Sequence, residues 1–149
     1  MRWIFCFLGL LIGLSACDDC SFTSENLQTV RLQFLRNGEP TAIRFAAVYS
    51  QEAIQDSLYR GDSLNVFLLP LLTSQTTVAY VFAYLDSLQT PDTLTLAYRV
   101  RAIPIAPDCG VDEEISQLEV LRTSFPRAEV LQPTLLNIHE IDLQIELEQ

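Results

Sequence analysis

The sequence predicts an all-β fold, an antiparallel β-sandwich of the immunoglobulin-like kind with about seven strands, and three observations predict it. Apolar and polar residues alternate with period two in several short runs. Those runs are rich in Val, Leu, Thr and Tyr, and clusters of Asn, Gly, Pro, Asp or Ser punctuate them at regular spacing. No convincing helix is read after residue 16. A small closed β-barrel is the alternative, because alternation does not say whether sheets close. No internal repeat, low-complexity tract or linker divides the chain.

The first strand is Val30 to Phe34, where Val30, Leu32 and Phe34 alternate with Arg31 and Gln33. Asn37-Gly38-Glu39-Pro40 is a turn, since Asn-Gly readily supplies positive φ, and the apolar run Ala42 to Tyr49 is expected to return as a hairpin. Gln51 to Asp62 is less regular and fits either a short strand or a single helical turn. Arg60-Gly61-Asp62 matches an integrin-binding tripeptide, but Gly and Asp ahead of a strand are turn residues first. The strand Leu64 to Leu69 follows, and Pro70, lacking a backbone donor, marks a sheet edge or a strand end.

Thr76 to Leu85 is apolar on both faces, Val78, Tyr80, Phe82 and Tyr84 on one and Ala79, Val81, Ala83 and Leu85 on the other, so a central strand is expected. After the break at Thr90-Pro91-Asp92 comes the clearest strand, with Leu94, Leu96, Tyr98 and Val100 opposed to Thr93, Thr95, Arg99 and Arg101. Pro104 and Pro107 bracket an irregular approach to Cys109-Gly110. Ile115 to Phe125 reads as one or two strands with a kink, ended by Pro126, and a loop carries Pro133. In the last strand Ile141, Leu143, Ile145 and Leu147 face inward. Glu140, Asp142, Gln144, Glu146 and Glu148 form an acidic face expected in water.

The N-terminus has a different character. Arg2, an apolar run from Trp3 to Leu14 and the small residues Ser15 and Ala16 lead to Cys17, the layout of an exported precursor. Leu14-Ser15-Ala16-Cys17 resembles the lipobox of bacterial lipoproteins. That resemblance implies a lipoprotein signal peptide over residues 1–16, diacylglycerol on the Cys17 sulfur and a fatty acyl chain such as palmitate on its new amine. Residues 17–26 would be a lipidated tether and 27–149 the sandwich domain. The apolar run falls short of the ~20 residues a spanning helix needs, whereas two or three acyl chains, at ~0.8 kcal/mol per methylene, anchor stably. An ordinary secretory leader is the alternative.

Removing residues 1–16, with Arg2, from the 149-residue chain leaves 133 residues in which eight Arg face nineteen Asp and Glu, a net charge of −11. One domain of that size buries enough surface to need no metal staple. Nucleic acid is excluded as a partner, since phosphate binding needs a basic face. Lysine is absent, which excludes Schiff-base chemistry and a P-loop.

Cys6 leaves with the leader and Cys17 takes the lipid, so Cys20 and Cys109 remain as an even pair in an oxidising compartment and are read as a disulfide. Two buried thiols or a metal pair are the alternatives. The disulfide would gather Asp18, Asp19, Asp108, Asp112, Glu113 and Glu114, hard oxygen ligands of the kind Ca²⁺ takes, although the spacing matches no known loop and solvated acids are the commoner outcome. The single histidine, His139, beside Glu140, reads as a surface residue, and one histidine cannot supply the nitrogen ligands of hydrolytic metal chemistry. No Gly-x-Ser-x-Gly elbow or reactive cysteine is present. The reading is therefore of no enzyme, no catalytic residue, no metal and no cofactor.

Cys17, Cys20 close behind it, a strand pair, Leu69-Pro70-Leu71, Asp92-Thr93-Leu94-Thr95-Leu96-Ala97-Tyr98, Cys109-Gly110 and a C-terminal strand occur in that order. The order resembles a family of small Bacteroidetes lipoproteins of unknown function and covers most of the mature chain. Val111 stands where an aromatic residue often follows Cys-Gly, and Asp112-Glu113-Glu114 departs from the pattern. The resemblance supports the anchor and the Cys20–Cys109 pairing and brings no catalytic residue. Asp18 and Asp19 resemble the signal that sends such lipoproteins to the outer surface, whereas aspartate there retains lipoproteins at the inner membrane in other bacteria. The localisation is the cell envelope, with the domain in the periplasm or on the surface.

The function expected is a non-catalytic structural or protein-interaction module of the envelope, its partners the membrane and an envelope protein. A ligand- or calcium-binding surface lipoprotein is the second class, with Tyr49, Tyr59 and Tyr84 as a candidate aromatic cluster.

Overall fold

The computed structural model describes residues 28–53, 57–106, 110–135 and 139–147. In chain order its strands are β1 (Thr29–Arg36), β2 (Glu39–Pro40), β3 (Ile43–Arg44), β4 (Ala47–Ser50), β5 (Ser63–Leu64), β6 (Val66–Pro70), β7 (Thr77–Ala83), β8 (Asp92–Ala106), β9 (Gly110–Thr123), β10 (Arg127–Val130) and β11 (Leu143–Glu146). One main sheet runs β10-β11-β1, with β6 and the short β2 along the far side of β1; the other runs β4-β7-β8-β9, and β3 pairs with β5 in a separate two-stranded ribbon. The two sheets do not close on each other among the described residues, so the fold is the expected sandwich and not the alternative barrel. The ambiguous Gln51–Asp62 stretch opens with a 3-10 turn, Gln51–Ala53, and further on makes a single antiparallel bridge from Tyr59 to Val48.

Alternation explains the layers. Val30, Leu32 and Phe34 of β1 face Val78, Tyr80 and Phe82 of β7 and Leu94, Leu96 and Tyr98 of β8 across one buried core. Phe34 is its centre, with ring centroids 5.5 Å from Phe45, 5.6 Å from Phe67, 5.8 Å from Phe82 and 5.6 Å from Phe125. Burying each such side chain is worth about 1.5–3 kcal/mol, and tilted or edge-on ring pairs add about 0.5–1.5 kcal/mol.

Asn37 and Gly38 take φ of 55° and 77°, the two positive values of a type I′ hairpin turn. The returning arm, however, is not Ala42 to Tyr49. It ends at Pro40, after one more bond from the Thr41 N–H to the Phe34 carbonyl at 2.9 Å, and the chain crosses to the other sheet through β3 and the buried Phe45 before forming β4. Gly61 has φ 69° and its carbonyl accepts a 2.7 Å hydrogen bond from Arg44 Nε, so Arg60-Gly61-Asp62 is a turn in this fold.

The expected strand Leu64 to Leu69 divides at Asn65 into β5 and β6, which pair with different partners. Pro70 closes β6 on an outer edge, as its missing donor predicts. That edge is closed by phenols: Tyr59 Oη bonds both backbone groups of Leu68, Tyr98 Oη bonds both of Leu72, and Tyr80 Oη donates to the Pro70 carbonyl. β7 is central between β4 and β8, as its two apolar faces predict.

β8 runs on through Pro104 to Ala106, where an irregular approach was expected. Beyond Tyr98 it pairs only with β9, so the proline's missing donor costs no ladder bond on its open side. The kink expected in Ile115 to Phe125 is a β-bulge: Gln117 has φ 54° and the register shifts between Ala97 and Arg99. The resulting two-stranded arm, residues 99–106 against 110–116, projects past the end of β7.

The last strand departs from expectation twice. β11 pairs parallel with β1, Leu32 opposite Leu143, and antiparallel with β10, a strand too short and too charged to be read from the sequence. Asp142, assigned above to a water-facing side, is 3% exposed. Its Oδ2 accepts the Arg31 backbone N–H at 2.7 Å and its backbone continues the pairing to Arg31, Leu131 and Gln132, which is why the carboxylate sits inward.

Candidate functional site

Where β7 ends and β8 begins, the two sheets part into an open cleft of about 450 Å³. Arg36 enters it from the end of β1, Tyr84 from just past β7, Asp92 from the first position of β8, and Ser124 and Phe125 from the bend after β9. Ile43, Pro126 and Leu147 add apolar wall, and Gln89 and Thr90 complete one rim.

The polar floor is a single network. Tyr84 Oη donates to Asp92 Oδ2, Ser124 Oγ donates to Asp92 Oδ1 at 2.6 Å, and the Thr93 N–H donates to Ser124 Oγ at 2.8 Å. The network has a structural role: it ties the start of β8 to the end of β9 and to the chain leaving β7. Burial, then the Asp92 hydrogen bond and charge, push the Tyr84 phenol above its ordinary range, so it holds its proton and remains a donor to the carboxylate. Beside the cleft the loop after β7 exposes Leu85 and, at 91%, Leu88.

The sequence-predicted residues fall elsewhere. Cys17, Asp18, Asp19, Cys20, Asp108 and Cys109 lie outside the described residues. Asp112, Glu113 and Glu114 lie together on β9 but do not converge. Asp112 Oδ1 accepts the Glu113 N–H at 2.8 Å, Glu113 Oε2 accepts from Gln28 Nε2 at 3.2 Å, and Glu114 pairs with Arg101 at 3.5 Å. Among the described residues no group of three or more His, Cys, Asp and Glu is placed to hold a metal ion. His139 is exposed in the turn before β11. The three tyrosines do not form one cluster: Tyr59 covers the β6 edge, Tyr84 lines the cleft and Tyr49 stands on β4.

Arg36, Asp92 and Ser124 carry no sequence signal of their own. Asp after Pro and Ser before Phe-Pro read as turn chemistry, and only the fold brings them together. No protein-family model, curated protein or solved structure matches the chain.

Proposed function

We propose that the chain is a lipid-anchored protein of the bacterial cell envelope, like the small Bacteroidetes lipoproteins it resembles, and that its sandwich serves as a non-catalytic structural or protein-interaction module. One contact carries the reading. Gln28, the first described residue, donates its side-chain amide to Glu113 on the projecting β8–β9 arm. The chain therefore enters the domain beside the strand that leads to Cys109.

Cys20 is eight residues before Gln28, a covalent reach of up to about 28 Å, and Cys109 is four residues before Glu113, a reach of up to about 13 Å. A Cys20–Cys109 bond is compatible with these spans. In the chain-entropy model it would be worth roughly 4–5 kcal/mol. It would hold the arm within a few residues of a lipid on Cys17, with the cleft at the opposite end of the strands.

The test is the intact mass of the membrane-extracted protein before and after reduction and alkylation. The reading expects a chain beginning at Cys17 with added acyl mass and two thiols that alkylate only after reduction. A mass without lipid, or free alkylation of Cys20 and Cys109, overturns the anchor or the bond respectively. The ligand-binding class is the second reading, and the cleft around Asp92 is the observation that favours it.

A further inference from the structure

The cleft at the end of the sandwich offers two kinds of polar group and keeps them apart. On one side two hydroxyl protons are already committed, Tyr84 Oη to Asp92 Oδ2 and Ser124 Oγ to Asp92 Oδ1. What Asp92 and Tyr84 still present are lone pairs, since each carboxylate oxygen and each phenol accepts more bonds than these use. Asp92 and Tyr84 therefore offer acceptors to a donor cation and no proton to an anion, while Gln89 and Thr90 add a polar rim.

On the other side stands Arg36, exposed at the end of β1. Among the described residues no hydrogen bond or ion pair engages its guanidinium, and although it lines the same cleft as Asp92 the two form no ion pair. Its five N–H donors suit a carboxylate in a two-pronged bond. Ile43, Phe125, Pro126 and Leu147 supply apolar wall beside the polar rim of Gln89 and Thr90. The volume, about 450 Å³, lies within the about 300–1,000 Å³ of small-molecule sites.

We propose that this cleft binds a small zwitterion of the apolar amino-acid class, free or as a dipeptide, with its ammonium group on Asp92 and Tyr84 Oη, its carboxylate on Arg36 and its side chain against Phe125 and Leu147. The charge of the whole domain selects among ligands. At −10 for the full chain, it repels an anion that Arg36 alone would attract, whereas a ligand carrying its own cation meets no such penalty. A neutral apolar molecule would leave both Arg36 and Asp92 without a new partner. The proposal does not depend on the lipid anchor, and the mass experiment above neither supports nor harms it.

The test is equilibrium dialysis of the full chain in detergent micelles against labelled L-leucine, with competition by Leu-Leu, N-acetyl-leucine, leucinamide and glycine. Saturable leucine binding is expected. Competition by Leu-Leu as well as or better than leucine identifies the dipeptide as the preferred form, and weaker competition identifies the free amino acid. N-acetyl-leucine lacks the ammonium, leucinamide lacks the carboxylate and glycine lacks the apolar side chain. Each is expected to bind at least about tenfold more weakly.

Arg36 is exposed, so Arg36→Gln leaves the fold intact by circular dichroism and is expected to lose at least about tenfold in leucine affinity. Asp92→Asn is expected to lose as much. Because Asp92 also stitches the strand ends, this variant is read only if its melting curve stays cooperative, and Arg36→Gln decides the matter otherwise. No saturable binding up to about 10 mM leucine, unchanged affinity in Arg36→Gln, or equal binding of leucinamide and N-acetyl-leucine overturns the proposal. In that event the Asp92 network is only the stitch between β8 and β9.

Discussion

The Tyr98 phenol accepts the Leu72 amide N–H at 3.2 Å and donates to the Leu72 carbonyl at 2.8 Å, so one hydroxyl from the opposite sheet satisfies both backbone groups of a residue just past the edge strand β6. An edge strand otherwise presents a row of unpaired donors and acceptors to any passing chain. Tyr98→Phe removes this partner while keeping the ring. Its expected cost is about 1–3 kcal/mol in urea unfolding, the penalty for the orphaned Leu72 amide, since the Leu72 carbonyl keeps a 3.1 Å bond from the Gln75 N–H. Tyr59→Phe is expected to cost less than about 1 kcal/mol, because water replaces its bonds to Leu68 at an exposed position.

Tyr80, Tyr84 and Tyr98 all have phenols raised above the ordinary 10.0, each first by burial. Their folded-state values lie above the unfolded ones, so the folded protein holds protons that the unfolded chain releases at alkaline pH. The stability linked to them is whole below pH 10.0 and declines as the pH rises beyond it. Absorbance titration of the phenolate band is expected to show Tyr80, Tyr84 and Tyr98 ionising together with loss of near-ultraviolet circular dichroism. Smooth ionisation of all five tyrosines in a folded protein would contradict this.

Asp142 is shifted upward from 3.8, by burial first, against the lowering effect of the Arg31 backbone bond and charge, with Glu140 raising it further. Between the ordinary value and the raised one the folded state binds more protons than the unfolded state, so stability falls as pH rises through that window. Asp142→Asn keeps an acceptor for the Arg31 amide and removes the charge. Its melting temperature relative to the parent is expected to improve on going from acid to neutral pH. Asp142→Ala, which orphans that amide, is expected to cost about 1–3 kcal/mol at every pH.

At Gln117 the left-handed φ of 54° is one a non-glycine residue adopts at a cost of roughly 1–2 kcal/mol. Gln117→Gly is therefore expected to leave stability unchanged or raise it by up to about 1 kcal/mol. Gln117→Val, β-branched in the same conformation, is expected to lower it by more than about 1 kcal/mol. Thermal melts of the pair separate this bulge from an ordinary strand position, where glycine would be the worse of the two.

Much of the architecture was legible because its causes are local. Period two in Leu94, Leu96 and Tyr98, the missing donor of Pro70 and the backbone freedom of Asn37-Gly38 each act within a few residues. What escaped depends on distant neighbours. Alternation tells which residues share a face, but the Arg31 amide, which draws Asp142 inward, lies 111 positions away. The parallel partner of β11 has no turn to announce it, and Arg127–Val130 is too short beside Pro126 to show a period. The cleft escaped for the same reason, its Asp92, Ser124 and Arg36 arriving from three separate strand ends.

The parallel pair β1–β11 sets the order in which the molecule can assemble. β1 lies between β6 and β11, and its partner along Leu32–Leu35 is supplied by residues 143–146, after every other described strand has been made. Closing so long a loop is slow, as for other topologies dominated by non-local pairing. During synthesis the first sheet waits for its final strand, while the β7–β8–β9 meander, whose strands are neighbours in the chain, can form earlier. The β1 sheet therefore stays incomplete until residues 143–146 are made, and its closure is the last step in assembling the core.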